Sequence, residues 1–411
     1  MTGTPGAVLS PGLSLVLLQA PFDAPREWAT GPRWHNCLGA HLFACEKPPA
    51  GPGYTTSCPS SAPAATPRWA TARRRYVSTF PTIAITLGDP AGIGPEVVAK
   101  ALTMPEVQAL GTFIVIGNVP VMQRALDAIG SPLRATPVHG PSDDPGGTIV
   151  RVLDDEDGSL IDLSLGAVSA DAGRASVKWV YHAARLAMAG EVDAIVTAPI
   201  NKTSAALAGY TDVGHMEVFQ SLTEAPQVAT MLLTTGLRVV HLTTHRSLRL
   251  ACDEVRRENV LAKINLTNDF FRQHGFAHPR IGVAALNPHG GESGLLGREE
   301  IDAIAPAVTD AQAAGVDAVG PVPADSVFTQ AIDGAYDVVL AMYHDQGHIA
   351  VKVHGWEQSV TINLGLPFLR TSVDHGTAFD IAGRGIASPV GMVSAIRLAA
   401  GVAGGGGIGV L

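Results

Sequence analysis

The chain has 411 residues, 46% of them hydrophobic and only 16% charged, with a formal net charge of −9. That length allows two or three domains with a large core, and the acidic balance leaves no basic stripe to neutralise nucleic-acid phosphates. No apolar window approaches the length of a membrane span, and Cys37, Cys45, Cys58 and Cys252 form neither a disulfide framework nor a zinc knuckle, so a reducing cytoplasm is the expected compartment.

Residues 1–78 are rich in Pro, Gly, Ala, Ser and Thr and carry no regular apolar period. The early apolar run Leu13-Ser14-Leu15-Val16-Leu17-Leu18 has no basic residue before it and makes a poor signal peptide; Arg73-Arg74-Arg75 is the one hint of a transit peptide. The reading adopted is a disordered extension, or upstream sequence with the true start near Val77. Regular structure is then expected as a strand at 82–87, a helix at 95–102, a strand at 112–116, a helix at 172–189 closed by Gly190, and a strand at 194–197. Strands and helices keep alternating beyond that point, without an internal repeat. The alternation specifies an α/β fold with a mainly parallel sheet. Gly404-Gly405-Gly406-Gly407 reads as a loose tail.

Three later apolar runs, 237–245, 281–289 and 338–344, read as buried strands and end in His245, His289 and His344. In an open parallel sheet the carboxyl ends of strands share one edge, where ligands bind. The three imidazoles are therefore expected to converge, and with no fourth protein ligand they would make a metal site with an open position. A lone strand-end histidine is more often a satisfied hydrogen-bonding group; three at equivalent positions favour a metal. Asp345, beside His344, is a candidate to orient a ring nitrogen. His241, inside its strand, and His348, past the turn, are set aside.

Other blocks carry weaker signals. Gly88-Asp89-Pro90-Ala91-Gly92-Ile93-Gly94-Pro95-Glu96 is a strand–loop–helix junction, but its glycine spacing is not that of a dinucleotide fingerprint. A tight turn and a ligand contact explain it equally well. Lys202 follows a strand end in Thr197-Ala198-Pro199-Ile200-Asn201-Lys202, and His215 stands at a helix entry after Gly214. Lys352 and Arg370 lie beside glycine turns and suit a phosphate, unless carboxylates pair with them. The segment 373–385 is long, polar and glycine-punctuated, and by composition only a loop.

Taken together and in order, the motifs 88–96, Asn287-Pro288-His289, Tyr343-His344-Asp345-Gln346-Gly347 and 365–378 resemble the 4-hydroxythreonine-4-phosphate dehydrogenase family of vitamin B6 biosynthesis, from about Pro81 to about Met392. Residues 1–78 match nothing in it. The resemblance implies two α/β/α subdomains with mainly parallel sheets, like isocitrate and isopropylmalate dehydrogenases, with the active-site cleft between them. The first would comprise 79–205 plus 370–411 and the second, carrying the metal, 206–369. It implies a divalent metal (Zn, Mg or Co) on His245, His289 and His344, substrate contacts from His215, Met216, Lys352, Thr361 and Arg370, and a homodimer with the active site at the interface, where Asp325 also contributes. The block 373–385 resembles the adenine-side loop of the related dehydrogenases, which assigns His375, Gly376, Ala378 and Asp380 to NAD. Two positions depart from the family pattern. Met216 stands where it has Thr, and Thr361 where it has Asn; a thioether donates no hydrogen bond, so a substrate contact is lost or replaced.

The expected chemistry is NAD-dependent, metal-assisted oxidation of the secondary alcohol in 4-hydroxythreonine 4-phosphate. Lys202, His215 or Asp325 would act as base, Lys352 and Arg370 would anchor the phosphate, and the β-keto acid product would lose CO2 to give 3-amino-2-oxopropyl phosphate. The alternative is the sister activity on D-threonate or D-erythronate 4-phosphate, with which Met216, Thr361 and the segment 345–349 are compatible. Dihydrodiol dehydrogenases are a more distant relative, and a non-catalytic metal- and phosphate-binding module is the reading of another class.

Overall fold

Twelve strands form one sheet in the computed structural model, which describes residues 80–409 except 144, 145, 147, 155–159 and 161. The expectations for residues 1–78, including Cys37, Cys45, Cys58 and the arginine run, lie outside the described residues. In chain order the strands are β1 (Thr82–Thr86), β2 (Thr112–Gly117), β3 (Arg134–Val138), β4 (Ile149–Asp154), β5 (Ala194–Thr197), β6 (Ala229–Thr234), β7 (Leu237–His241), β8 (Ile281–Ala284), β9 (Ala318–Val322), β10 (Val338–Ala341), β11 (Val360–Leu364) and β12 (Leu369–Val373). Their spatial order is β3-β4-β2-β1-β5-β12-β11-β6-β7-β10-β8-β9.

Pairing is parallel from β3 to β12 and again from β7 to β9. The pairs β12–β11, β11–β6 and β6–β7 are antiparallel. Three reversals leave the two parallel stretches running in opposite directions, so their carboxyl ends approach the central strands from opposite sides. Central strands bury both faces, and β1 and β5 are accordingly apolar and β-branched, with Ile83, Ile85, Ile195 and Val196 wholly buried. The β12–β11 pair is the junction between the two expected subdomains, and the sheet is continuous through it.

Local signals act as the sequence requires. The helix Ala170–Ala189 starts at Ser169, whose hydroxyl accepts from the Asp171 and Ala172 N–H groups, and ends at Gly190 with φ 73°. Trp179 on it is wholly buried. The junction 88–96 proves to be an internal anchor. Ile93 N–H donates to Thr377 O at 2.9 Å, and a Cβ on Gly92 would lie 2.8 Å from that same oxygen. Glu96, in the first turn of the helix Gly94–Leu102, accepts from Ala387 N–H (2.7 Å), Gly385 N–H (3.1 Å) and Lys100 (3.0 Å). Asp89 Oδ1 accepts from Ala91 N–H at 2.9 Å and so closes its own turn; burial raises its pKa. The block 88–96 thus holds the late block 373–387 in place.

One expectation is corrected. The glycine run at 404–407 is tied down, because Ile408 is wholly buried, its carbonyl accepts from Arg238 Nε at 3.2 Å, and Gly407 lies against His274 O too closely for a Cβ.

Candidate active site

The central antiparallel strands carry polar residues at alternate positions, so one face of this part of the sheet is polar. Thr361 and Asn363 on β11, Arg370 and Ser372 on β12, and Thr230 on β6 all border a cleft of about 230 Å3. Pro199 and Lys202, just after β5, and Asp374, His375 and Gly376, after β12, close one side. Thr244 and His245, after β7, and His344 and His348, after β10, close the other. His215 and Met216 enter from the first turn of the helix His215–Thr223.

Arg370 dominates the floor. It is buried, its Nε donates to Thr197 Oγ1 at 3.1 Å, its Nη1 donates to Asn363 Oδ1 at 2.6 Å, and its Nη2 also donates to Thr197 Oγ1. Thr197 Oγ1 in turn donates to Ser372 Oγ at 3.0 Å. Among the described residues no carboxylate lies within ion-pair reach of Arg370, and burial pushes its guanidinium down to about 9. Such a cation remains charged at neutral pH; Glu217, which borders the same cleft, acts on it through charge alone and without an ion-pair contact.

Four imidazoles in and beside the cleft, those of His215, His241, His245 and His348, have lowered pKa values. Burial, then the charges of Arg370 and Lys202, hold His215 well below the ordinary histidine range, and its Nε2 is buried without a partner. Burial lowers His245 as well, helped by Lys202 and His344. His241 and His348 are pushed to about 3 and about 4, chiefly by burial. Met216 is held in place by the Thr230 hydroxyl, which donates to its sulfur at 3.3 Å. Asn363, two residues on from Thr361 and on the same strand face, presents an amide whose oxygen accepts from Arg370.

The strand-end histidines divide. The His245 and His344 rings lie 5.7 Å apart, and His344 Nδ1 donates to Asp345 Oδ1 at 2.7 Å, which leaves Nε2 free. The expected convergence of three within one chain does not occur. His289 is exposed and outside the cleft, on a left-handed turn in which His289, Gly290, Gly291, Glu292 and Ser293 all have positive φ. Among the described residues no three His, Cys, Asp or Glu side chains are grouped to hold a metal. The 287–289 loop is nevertheless fixed. Glu300 accepts from the Leu286 and Asn287 N–H groups at 2.8 and 2.7 Å and from the Asn287 amide at 2.9 Å; these bonds outweigh its burial and keep its pKa low.

Lys352 lies in an adjoining pocket of about 250 Å3 with Trp356, Asp374 and His375, and pairs with Asp374 at 3.2 Å. The two expected phosphate cations therefore border different cavities, with Asp374 and His375 shared between them. Of the residues assigned to NAD, His375 borders both cavities and Gly376 the cleft, while Ala378 and Asp380 border neither. Asp325 is exposed, in the first turn of the helix Ala324–Ile332 beside the edge strand β9, and is outside the cleft. Thr197, Asn363, Asp374 and His348 were not anticipated as site residues. The alternation of polar residues along β11 and β12 was the available signal for Asn363.

The sequence and fold have known counterparts. The family described as "Pyridoxal phosphate biosynthetic protein PdxA" matches residues 109–399. The chain belongs to the PdxA family. The D-threonate 4-phosphate dehydrogenases of Pectobacterium atrosepticum and Salmonella typhimurium are 44% and 45% identical to it, each match covering 77% of this chain and 98% of the relative. A crystal structure of a 4-hydroxythreonine-4-phosphate dehydrogenase from Klebsiella pneumoniae is 42% identical, with a TM-score of 0.73 over 79% of this chain and 98% of that one. A terephthalate 1,2-cis-dihydrodiol dehydrogenase from Burkholderia xenovorans is 32% identical, with a TM-score of 0.56 over 78% of this chain and 97% of that one. This PdxA-family protein is a dehydrogenase, built on the mainly parallel α/β sheet that the sequence specifies. No helix among its described residues is long and apolar enough to cross a membrane.

Proposed function

We propose that this PdxA-family dehydrogenase uses NAD to oxidise the secondary alcohol of a four-carbon hydroxy acid phosphate, D-threonate 4-phosphate, and that the resulting β-keto acid loses CO2. The observation that carries the reading is Arg370, a buried cation without a carboxylate partner on the floor of a cleft whose far wall holds two strand-end histidines. A phosphate suits the first and an alcohol the second. The names of the relatives and the thioether at Met216 favour threonate, in which a hydroxyl replaces the amine. The reading on 4-hydroxythreonine 4-phosphate is kept as the second, because the Klebsiella pneumoniae structure carries that name.

Each residue has a task in this scheme. Arg370 orients the phosphate and so fixes the reacting carbon. His215, neutral and with a bare Nε2, accepts a hydrogen bond from a substrate hydroxyl. The hydroxyl proton passes to the His215 imidazole as hydride leaves for NAD, and Lys202, a cation exposed at the rim, steadies the negative charge that develops. NAD occupies the adjoining pocket, with His375 between the two cavities. His245 and His344 supply two imidazoles suited to a divalent ion, which when bound would polarise the alcohol and stabilise negative charge on its oxygen.

The third ligand is His289 of a second subunit in a homodimer. It is exposed, held on a rigid turn, and followed by Leu295 and Leu296, which are 86% and 51% exposed, an apolar surface suited to burial against another copy. NAD reduction measured with both phosphorylated acids, with and without chelator, tests the scheme. Faster turnover of D-threonate 4-phosphate that chelation abolishes is the expected result. Preference for 4-hydroxythreonine 4-phosphate would install the second reading, and indifference to chelation would remove the metal.

A further inference from the structure

Beside the histidine pair stand two more imidazoles for which the scheme above has no task. His241 Nδ1 lies 3.4 Å from Thr230 O, and a carbonyl only accepts, so Nδ1 carries the hydrogen and Nε2 is left with its lone pair. His348 Nδ1 lies 3.1 Å from that Nε2 and 3.1 Å from His344 O, so it also is the protonated nitrogen, shared between the two acceptors. A Cβ on Gly347 would sit 2.3 Å from His241 Nε2; the glycine is what lets the helix His344–Gly355 approach β7 this closely. His348 is four residues along that helix from His344, and its ring stacks on that of His344 with centroids 3.6 Å apart and planes 12° from parallel.

We propose that His348, locked by His241, is a positioning residue that sets the ring plane of His344. Asp345 fixes which nitrogen of His344 is bare, but its side chain is 72% exposed and leaves the ring free to swing. The stack supplies the missing restraint, and it is itself anchored through His241 to the β6 backbone. His344 Nε2 is then held facing the cleft before any ion arrives. The inference rests on the reading that His245 and His344 hold a divalent ion.

The test is Co2+ titration of the full-length protein, followed by its visible absorption. His344→Ala should abolish the spectrum. His348→Ala should weaken Co2+ binding about 10- to 100-fold, the usual effect of losing a group that orients a ligand, and should shift the absorption bands. His348→Phe, which keeps a stacking ring but loses the bond to His241, should recover part of the affinity, to about the level that His241→Phe retains. Wild-type affinity and spectrum in a folded His348→Ala protein would overturn the proposal, as would loss of affinity that His348→Phe does not even partly restore. A wild-type protein that binds no Co2+, or that binds it equally well without His344, would remove the metal reading first and this inference with it.

Discussion

Arg370→Met separates a phosphate-binding role from a structural one. A guanidinium has five N–H donors, of which three are engaged by Thr197 and Asn363. The two that remain, one on each Nη, match the two oxygens of a bidentate phosphate contact. Hydrogen bonds to charged groups contribute about 1.5–3 kcal/mol each, so losing both removes roughly 3–6 kcal/mol. At about 1.4 kcal/mol per tenfold, and with the cleft open to water, the lower part of that range applies. The loss in kcat/KM on a phosphorylated acid is then on the order of 100- to 1000-fold. The same substitution should change turnover of the unphosphorylated acid by less than about tenfold.

Stability should move in a different direction from activity. Arg370 is a buried cation without a carboxylate partner, and replacing such a charge by an apolar side chain is often neutral or stabilising. Wild type should gain about 2.7 kcal/mol from inorganic phosphate at one hundred times its dissociation constant, and Arg370→Met should gain nothing. Steady-state kinetics on the paired acids and thermal melts with and without phosphate provide the two readouts. A variant that melts lower yet loses the same factor on both acids would show that Arg370 only supports the sheet, and the phosphate assignment would fall.

Three further outcomes follow from the geometry. His215 has a folded pKa held below its ordinary 6.5, so the unfolded chain takes the proton more readily; stability is level above about pH 6.5 and declines as pH falls below it. His215→Asn should flatten that decline by up to about 1.4 kcal/mol per pH unit, seen in urea midpoints at pH 5 and pH 7, and an unchanged slope would contradict a buried neutral ring. Glu96→Gln weakens the anchor of residues 385–387 and should raise the KM for NAD about tenfold while leaving the KM of the acid unchanged; equal effects on both would disconnect the anchor from the cofactor. Finally, His245→Ala and His289→Ala proteins, each inactive alone, should recover about one quarter of wild-type activity when mixed and allowed to exchange subunits, since half the dimers are mixed and each has one intact site. No recovery would place all three histidines in one subunit.

Much of the fold was legible because its signals are local. Runs such as Thr82-Ile83-Ala84-Ile85-Thr86, the Ser169 cap and the Gly190 stop act within a few residues, and the structure keeps them. Strand direction is not local. Nothing in the apolar runs of β6 and β11 distinguishes an antiparallel neighbour from a parallel one, so the reversals at the centre went unseen. Equivalent strand-end positions bring His245 and His344 together at the cleft, but His289 shares the position without sharing the path. The left-handed turn that follows includes Glu292 and Ser293, whose positive φ values no residue preference announces.

His348 was hidden for a different reason. Tyr343-His344 marks a strand end, and the residues after it read as a turn, in which no helical spacing relates His344 to His348. The helix in fact begins at His344 itself, which puts His344 and His348 one above the other. The central reversals also explain the character of the substrate face. Strands buried on both sides are expected to be apolar throughout, yet β11 and β12 place Thr361, Asn363, Arg370 and Ser372 at alternate positions. That alternation persists because the two opposed parallel stretches bring their carboxyl ends to the same central face from both sides, and the polar row between them becomes the floor of the cleft. The polar alternation that sets β11 and β12 apart from the other central strands is what makes them the binding surface.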